Sequence, residues 1–202
     1  MSLENIVRSV SGRLSLREPQ AESLRRLHRA VDQVPALRDP KARSPEELKA
    51  MQEALKGQFP TLSDFERDFP SLCFALATGV GKTRLMGAFI SYLHAAYGYR
   101  HFFVLAPNLT IYDKLIGDFS PNSPKYVFKG IAEFASTPPE VITGDNYGQR
   151  GSLSLLGGIE VNIFNISKIN SEVRGGKSPK IKRLSEYLGQ SYFDYLAELD
   201  DL

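Results

Sequence analysis

The sequence predicts an α/β fold, a mostly parallel sheet flanked by helices and preceded by a helical N-terminal extension. Three observations lead there. Leu72 to Met86 reads as an apolar run, a break at Thr78-Gly79-Val80-Gly81 and a helix start. His101 to Pro107 is a short continuous apolar run, the form of a strand covered on both faces. Strand, loop and helix then alternate, the rhythm of a sheet with parallel pairing.

Taken in order, Arg17-Glu18-Pro19 opens a helix from Gln20 to Val34, with Pro in its first turn and Leu24, Leu27, Val31 and Val34 on one face. Glu22, Arg25, Arg26 and Arg29 occupy the opposite face and read as a solvated surface. His28 borders the apolar stripe and reads as structural, because no second His or Cys stands at metal-ligand spacing. Pro35 to Pro45 is a linker ending in Ser44-Pro45-Glu46-Glu47, a capping box with Pro at the first helical position. The helix it starts carries Leu48, Met51 and Leu55 and ends near Gly57. Phe59, Leu62, Phe65 and Phe69 follow, and their expected task is to seat these helices on the core.

A strand is expected over Leu72 to Ala77, then a helix from Lys82 to about Tyr97, stopped by Gly98. Asn108 caps a helix from Leu109 to about Phe119. Tyr126 to Phe128 and Val141 to Thr143 are candidate strands, Ser152 to Gly158 is a turn, and Glu160 to Ile166 is a clearer strand. Between Lys168 and Arg183 stand six basic residues and one acid, Glu172; from Leu184 to Leu202 a helix carries five acids and no base. The domains so drawn are 1–70, the helical extension, and 71–202, the α/β lobe.

Composition sets outer bounds. With 24% charged and 42% apolar residues over 202 positions, the chain has the make-up of a soluble globular protein. A net charge of +2 is too small to announce a nucleic-acid binder in bulk, so such a role must rest on local patches. The single cysteine, Cys73, excludes a disulfide framework and reads as a small buried hydrophobe in its strand. Neither a leader pattern nor a run long enough to span a membrane occurs, so a cytoplasmic location is expected.

The chemistry lies in the glycine break. Free backbone N–H groups at a helix N-terminus stabilise an anion, and phosphate is the natural guest. Lys82 would place a point charge on the β- and γ-phosphates, and the Thr83 hydroxyl would take one position on Mg²⁺. The full phosphate-loop pattern also asks for glycine where this chain has Leu76, so the match is partial. Hydrolysis further needs a carboxylate at the end of a second buried strand. None qualifies: Val141-Ile142-Thr143-Gly144-Asp145 is short and polar, Glu160 precedes its strand, and Asp200 and Asp201 read as a solvated helix end.

From Leu16 onward these pieces resemble the N-terminal RecA-like lobe of superfamily 2 helicases and translocases, closest to the restriction subunit of type III restriction enzymes and related DEAD/DEAH-box proteins. Ala77 to Thr83 matches that family's motif I, close to A-T-G-x-G-K-T, in which the first glycine is commonly missing. The resemblance implies ATP with Mg²⁺ as ligands, held by Thr78, Gly79, Val80, Gly81, Lys82, Thr83 and Arg84, with Lys82 and Thr83 catalytic and Thr83 on the metal. Leu16-Arg17-Glu18-Pro19-Gln20 resembles the segment whose glutamine recognises adenine, which implies that role for Gln20. Val104 to Asn108 resembles motif Ia, and Val161 to Lys168 a later strand and loop that also face nucleic acid. Pro107, Asn108, Asn165, Ser167 and Lys168 are the contacts implied with DNA, duplex or single-stranded.

The acidic D-E-x-H motif of the family does not occur in these 202 residues, so the chain is expected to stop short of it. The expected function is an ATP-binding motor lobe of a restriction-type DNA helicase or translocase, poorly active alone. Two alternatives stand beside it. One is a non-catalytic docking module completed by a separately encoded polypeptide, which could also be a modification subunit; the other is a P-loop kinase for a small substrate.

Overall fold

The computed structural model describes residues 2–39, 43–147, 158–166, 190–199 and 201. By packing, the chain divides into two compact units, Met1–Tyr92 and Leu93–Leu202.

The first unit is helical. Helix α1 (Leu3–Arg13) starts at Ser2, whose side chain accepts the Asn5 N–H, and buries Ile6, Val7 and Val10. Helix α2 (Glu18–Gln33) buries Ala21, Leu24, Leu27 and Val31 on its expected apolar face. On the other face Glu22 binds Arg26 at 2.9 Å, Arg25 at 2.9 Å and Arg29 at 3.0 Å, and Arg25 also pairs with Glu18, so those arginines are spent on carboxylates of their own helix. The hydrogen bonds from Arg26 and Arg25 hold the Glu22 carboxyl below its usual range. His28 is structural, its Nδ1 lying 2.9 Å from the Tyr92 hydroxyl.

Pro35–Arg38 forms a 3-10 turn within the expected linker. Helix α3 (Pro45–Lys56) begins with the expected capping box: Ser44 Oγ accepts the Glu47 N–H at 3.2 Å, and Glu47 Oε2 accepts the Ser44 N–H at 2.8 Å. Ala30, Val34, Met51, Leu55 and Phe65 close one core, with Phe59 and Leu62 packed against it. Phe69 does not join them and is 46% exposed.

Helix α4 (Lys82–Tyr97) ends at Gly98, whose φ of +79° suits a glycine stop. In the second unit β1 (His101–Ala106), β2 (Glu140–Thr143) and β3 (Glu160–Asn165) form a parallel sheet of order β1-β3-β2. Helix α5 (Leu109–Phe119) is capped by Asn108, whose Oδ1 accepts the Ile111 N–H at 2.9 Å, and it packs on β1 and β3. Helix α6 (Ala132–Ser136) precedes β2, and α7 (Tyr192–Ala197) covers the sheet, with Tyr192 and Leu196 packed on Ile142 and Phe164. Helices flanking a parallel sheet make a RecA-like α/β lobe.

Four expectations are corrected. Leu72 to Ala77 forms no strand: among the described residues its backbone groups make no backbone hydrogen bond, and only alternate side chains are half-buried. An apolar run specifies burial, whereas a strand also needs a ladder partner, and here Phe74 packs on the Phe89 ring of α4 at 4.9 Å. Cys73 is consequently exposed rather than buried. Tyr126 to Phe128 is a buried turn, because Val127 N–H bonds Asp118 C=O at 2.9 Å and the rings of Phe119, Phe128 and Phe134 stack edge to face. Asp201 is no solvated helix end: its carboxylate accepts the Arg100 N–H at 2.7 Å and bonds the His101 ring. The expected turn at 152–157, the basic run from 168 to 183 and the helix start at 184–189 lie outside the described residues.

Candidate phosphate loop and sheet edge

The loop before α4 has the backbone that the glycines predict. Gly79 and Gly81 stand at φ +82° and +91°, the left-handed region where a Cβ is strained. Thr78, Gly79, Gly81 and Lys82 are exposed, and nothing lies within 4 Å of where a Cβ on Gly79 would sit. The first amide of α4 to find a backbone partner is Leu85, which donates to Gly81 C=O at 3.2 Å. The N–H groups of Lys82, Thr83 and Arg84 thus stand at the helix start without an intrahelical acceptor, the positive end of the helix dipole. Neither the Lys82 ammonium nor the Thr83 hydroxyl has a hydrogen-bond or ion-pair partner among the described residues. An open loop with a free cation, a free hydroxyl and unspent amides fits a phosphate group and its metal.

The other expected loop contacts are placed differently. Arg84 is half-buried and Nη1 donates to the Leu14 carbonyl at 2.9 Å, tying the first turn of α4 to the end of α1. Gln20 is 2% exposed. Its Oε1 accepts the Arg17 N–H at 2.8 Å and its Nε2 donates to the Gly81 carbonyl at 2.8 Å. Leu14 and the Gln20–Gly81 contact went unread in the sequence, since nothing local marks a partner 61 or 70 residues away.

A cavity of about 600 Å³ lies elsewhere in this unit, along Ser71 to Leu76, bounded by Glu22, Arg26 and Phe65. Lys82 and Thr83 do not line it.

In the second unit the register pairs Ala106 with Asn165, so the turn after β1 and the end of β3 share the C-terminal edge of the sheet. That is the edge where open parallel sheets bind ligands. Pro107 and Asn108 are exposed there, but Asn108 is engaged as the α5 cap. Asn165 is 1% exposed and so is enclosed in the sheet end. Ser167 and Lys168 lie outside the described residues.

No described helix is long and apolar enough to cross a membrane. Searches of the curated proteins and of the solved structures returned no match. The model of the type III restriction enzyme res subunit family matches residues 13–197, nearly the whole chain, including the loop and all three strands. Domains of that family are helicase-like ATP-binding motor domains of hydrolase type. With the loop, the parallel sheet and this match in agreement, the chain belongs to the family of the type III restriction enzyme res subunit.

Proposed function

We propose that the chain is the ATP-binding motor lobe of a DNA helicase or translocase of restriction-enzyme type. The loop from Thr78 to Thr83 carries the reading, with two positive-φ glycines, unspent helix-start amides and an unpartnered Lys82. Gly79, Val80 and Gly81 cradle the phosphates, Lys82 neutralises their charge, and Thr83 takes one position on Mg²⁺, which supplies charge neutralisation across the phosphates when bound. The C-terminal sheet edge with Pro107 and Asn108 is the surface assigned to DNA, with Asn165 setting the end of β3 behind it. In the intact motor, hydrolysis of ATP drives movement along DNA.

Titration with a fluorescent ATP analogue and Mg²⁺ tests the reading. Lys82→Ala removes a charge-assisted contact and should weaken binding by roughly ten- to a hundredfold. Equal affinity in the variant would sink it.

The docking-module reading is favoured by one observation, the Leu72 to Ala77 stretch with backbone that makes no backbone hydrogen bond among the described residues, beside the 600 Å³ cavity. A strand from a separately encoded polypeptide would satisfy those groups by sheet addition. The kinase reading has no such support.

A further inference from the structure

We infer that Arg84 is a positioning residue that couples the phosphate loop to α1, so that filling the loop tightens the docking of this helix. The inference deepens the ATP-binding proposal and rests on it for the ligand measurements alone.

Arg84 is the third residue of α4, in the turn whose amides make no intrahelical bond. A cation there sits at the positive end of its own helix dipole, and the negative end of another helix relieves it. The end of α1 supplies that relief. Arg84 Nη1 donates to Leu14 C=O at 2.9 Å, and the residue is half-buried. Its charge is thereby engaged by protein through a charge-assisted hydrogen bond.

The carbonyl it meets is aimed by a built cap. The Leu16 N–H bonds Ser11 C=O and the Ser15 N–H bonds Gly12 C=O, each at 3.0 Å, while the Leu14 N–H bonds Val10 C=O at 3.0 Å. This is a Schellman closure, which needs a residue in the left-handed region just past the helix. Ser15 takes that place at φ +49°, where an L side chain is strained. The closure uses the Val10, Ser11 and Gly12 carbonyls and leaves that of Leu14 for a donor from outside the helix. Leu14 itself has no exposed surface, and Ile6, Val7 and Val10 are buried along the same helix. Apolar burial holds α1 without fixing its angle, because it is non-directional; the guanidinium bond adds the direction.

Coupling follows from this geometry. An anion on the Lys82, Thr83 and Arg84 amides fixes the first turn of α4, and with it the backbone that carries the guanidinium. Less freedom is then lost in making the Leu14 bond, so the bond strengthens when the loop is filled. By linkage the docked helix favours the filled loop by the same factor. Except for its last residue, α1 lies ahead of residue 13, where the family match begins. The device therefore belongs to this chain's own extension and not to the shared domain.

Two variants and two ligands test it on the full chain. Arg84→Met removes the donors and keeps an apolar stem, and Arg84→Lys restores one charged donor. Hydrogen exchange is followed at the Val7, Val10 and Leu14 amides, with Leu24 and Leu27 of α2 as reference, before and after saturation with ATP or inorganic tripolyphosphate, each with Mg²⁺. In the wild type either ligand should slow the α1 amides about fivefold. In Arg84→Met the nucleotide-free α1 amides should exchange about fivefold faster, neither ligand should slow them, and both should bind about fivefold more weakly. Arg84→Lys should recover most of each effect, and the α2 reference should keep its wild-type rate in both nucleotide-free variants.

Wild-type α1 exchange that is the same with and without ligand would overturn the coupling, and this measurement needs no variant to fold. Weaker binding in Arg84→Met with unchanged α1 exchange would overturn it in favour of a direct contact between Arg84 and phosphate. Wild-type protein that binds neither ligand would defeat the ATP-binding proposal, and the nucleotide-free exchange rates would still decide whether Arg84 holds α1.

Discussion

Burial acts most plainly on Tyr126, whose phenol is pushed up to about 12 because its charged form would be desolvated. The ring sits 5.6 Å from Phe128, and its hydroxyl donates to the Phe134 carbonyl at 3.3 Å. Between pH 10 and 12 the unfolded chain gives up this proton while the folded chain keeps it. The unfolded state then binds fewer protons, so stability falls as pH rises through that window. At about 1.4 kcal/mol per pH unit the loss is on the order of 2 kcal/mol by pH 12. Tyr126→Phe should remove that component: in urea titrations from pH 9 to 12 the wild type should lose stability faster than the variant. Parallel curves would contradict the burial argument. Asp201 runs the other way. Desolvation opposes its charge, but the hydrogen bonds from His101 and the Arg100 N–H outweigh that and lower its pKa, so its contribution fades as pH falls through the folded value.

At the scale of elements, Leu72 to Ala77 separates two properties that an apolar run confounds. Leu72, Phe74 and Leu76 are half-buried and Cys73, Ala75 and Ala77 are exposed, a period of two without a ladder. The Cys73 thiol should therefore react with a disulfide reagent in the native chain within about tenfold of its rate in urea. A strand buried on both faces would slow that reaction roughly a thousandfold or more, since opening would come first. The same distinction explains what was legible. Helices α2, α3 and α5 were readable because Pro19, the Ser44–Glu47 box and Asn108 are local signals acting within one turn. Strands β1, β2 and β3 were readable as apolar runs that did find partners. Tyr126 to Phe128 carries the same signal but spends its rings on an aromatic cluster. Helix α1 was overlooked although Ile6, Val7, Val10 and Leu14 carry a helical period. In the candidate site the glycines and Lys82 were legible from local spacing, whereas the Gln20 contact with Gly81 depends on folding across the unit.

At the scale of the molecule, holding a nucleotide and cutting it place different demands on a motor lobe. In the proposed reading the loop meets the first through Lys82, Thr83 and unspent amides. Phosphoryl transfer to water also needs a group that orients the water and a cation on the transition state. Strands β1 and β3 end at Ala106 and Asn165, and β2 ends at Thr143, whose hydroxyl and N–H are taken by Asn146. None of these three terminal residues is a carboxylate, and Asp145 stands two residues past β2 in a turn, its N–H bonding the Thr143 hydroxyl. The 202-residue chain should therefore bind the ATP analogue yet turn ATP over at the buffer background, with duplex DNA, single-stranded DNA or neither. Phosphate release measured beside Lys82→Ala checks this, because contaminating activity survives that substitution and intrinsic activity does not. Turnover that DNA stimulates and Lys82→Ala abolishes would mean that a carboxylate outside these strand ends orients the water. Asp145, two residues past the end of β2, would then be the first residue to replace with asparagine.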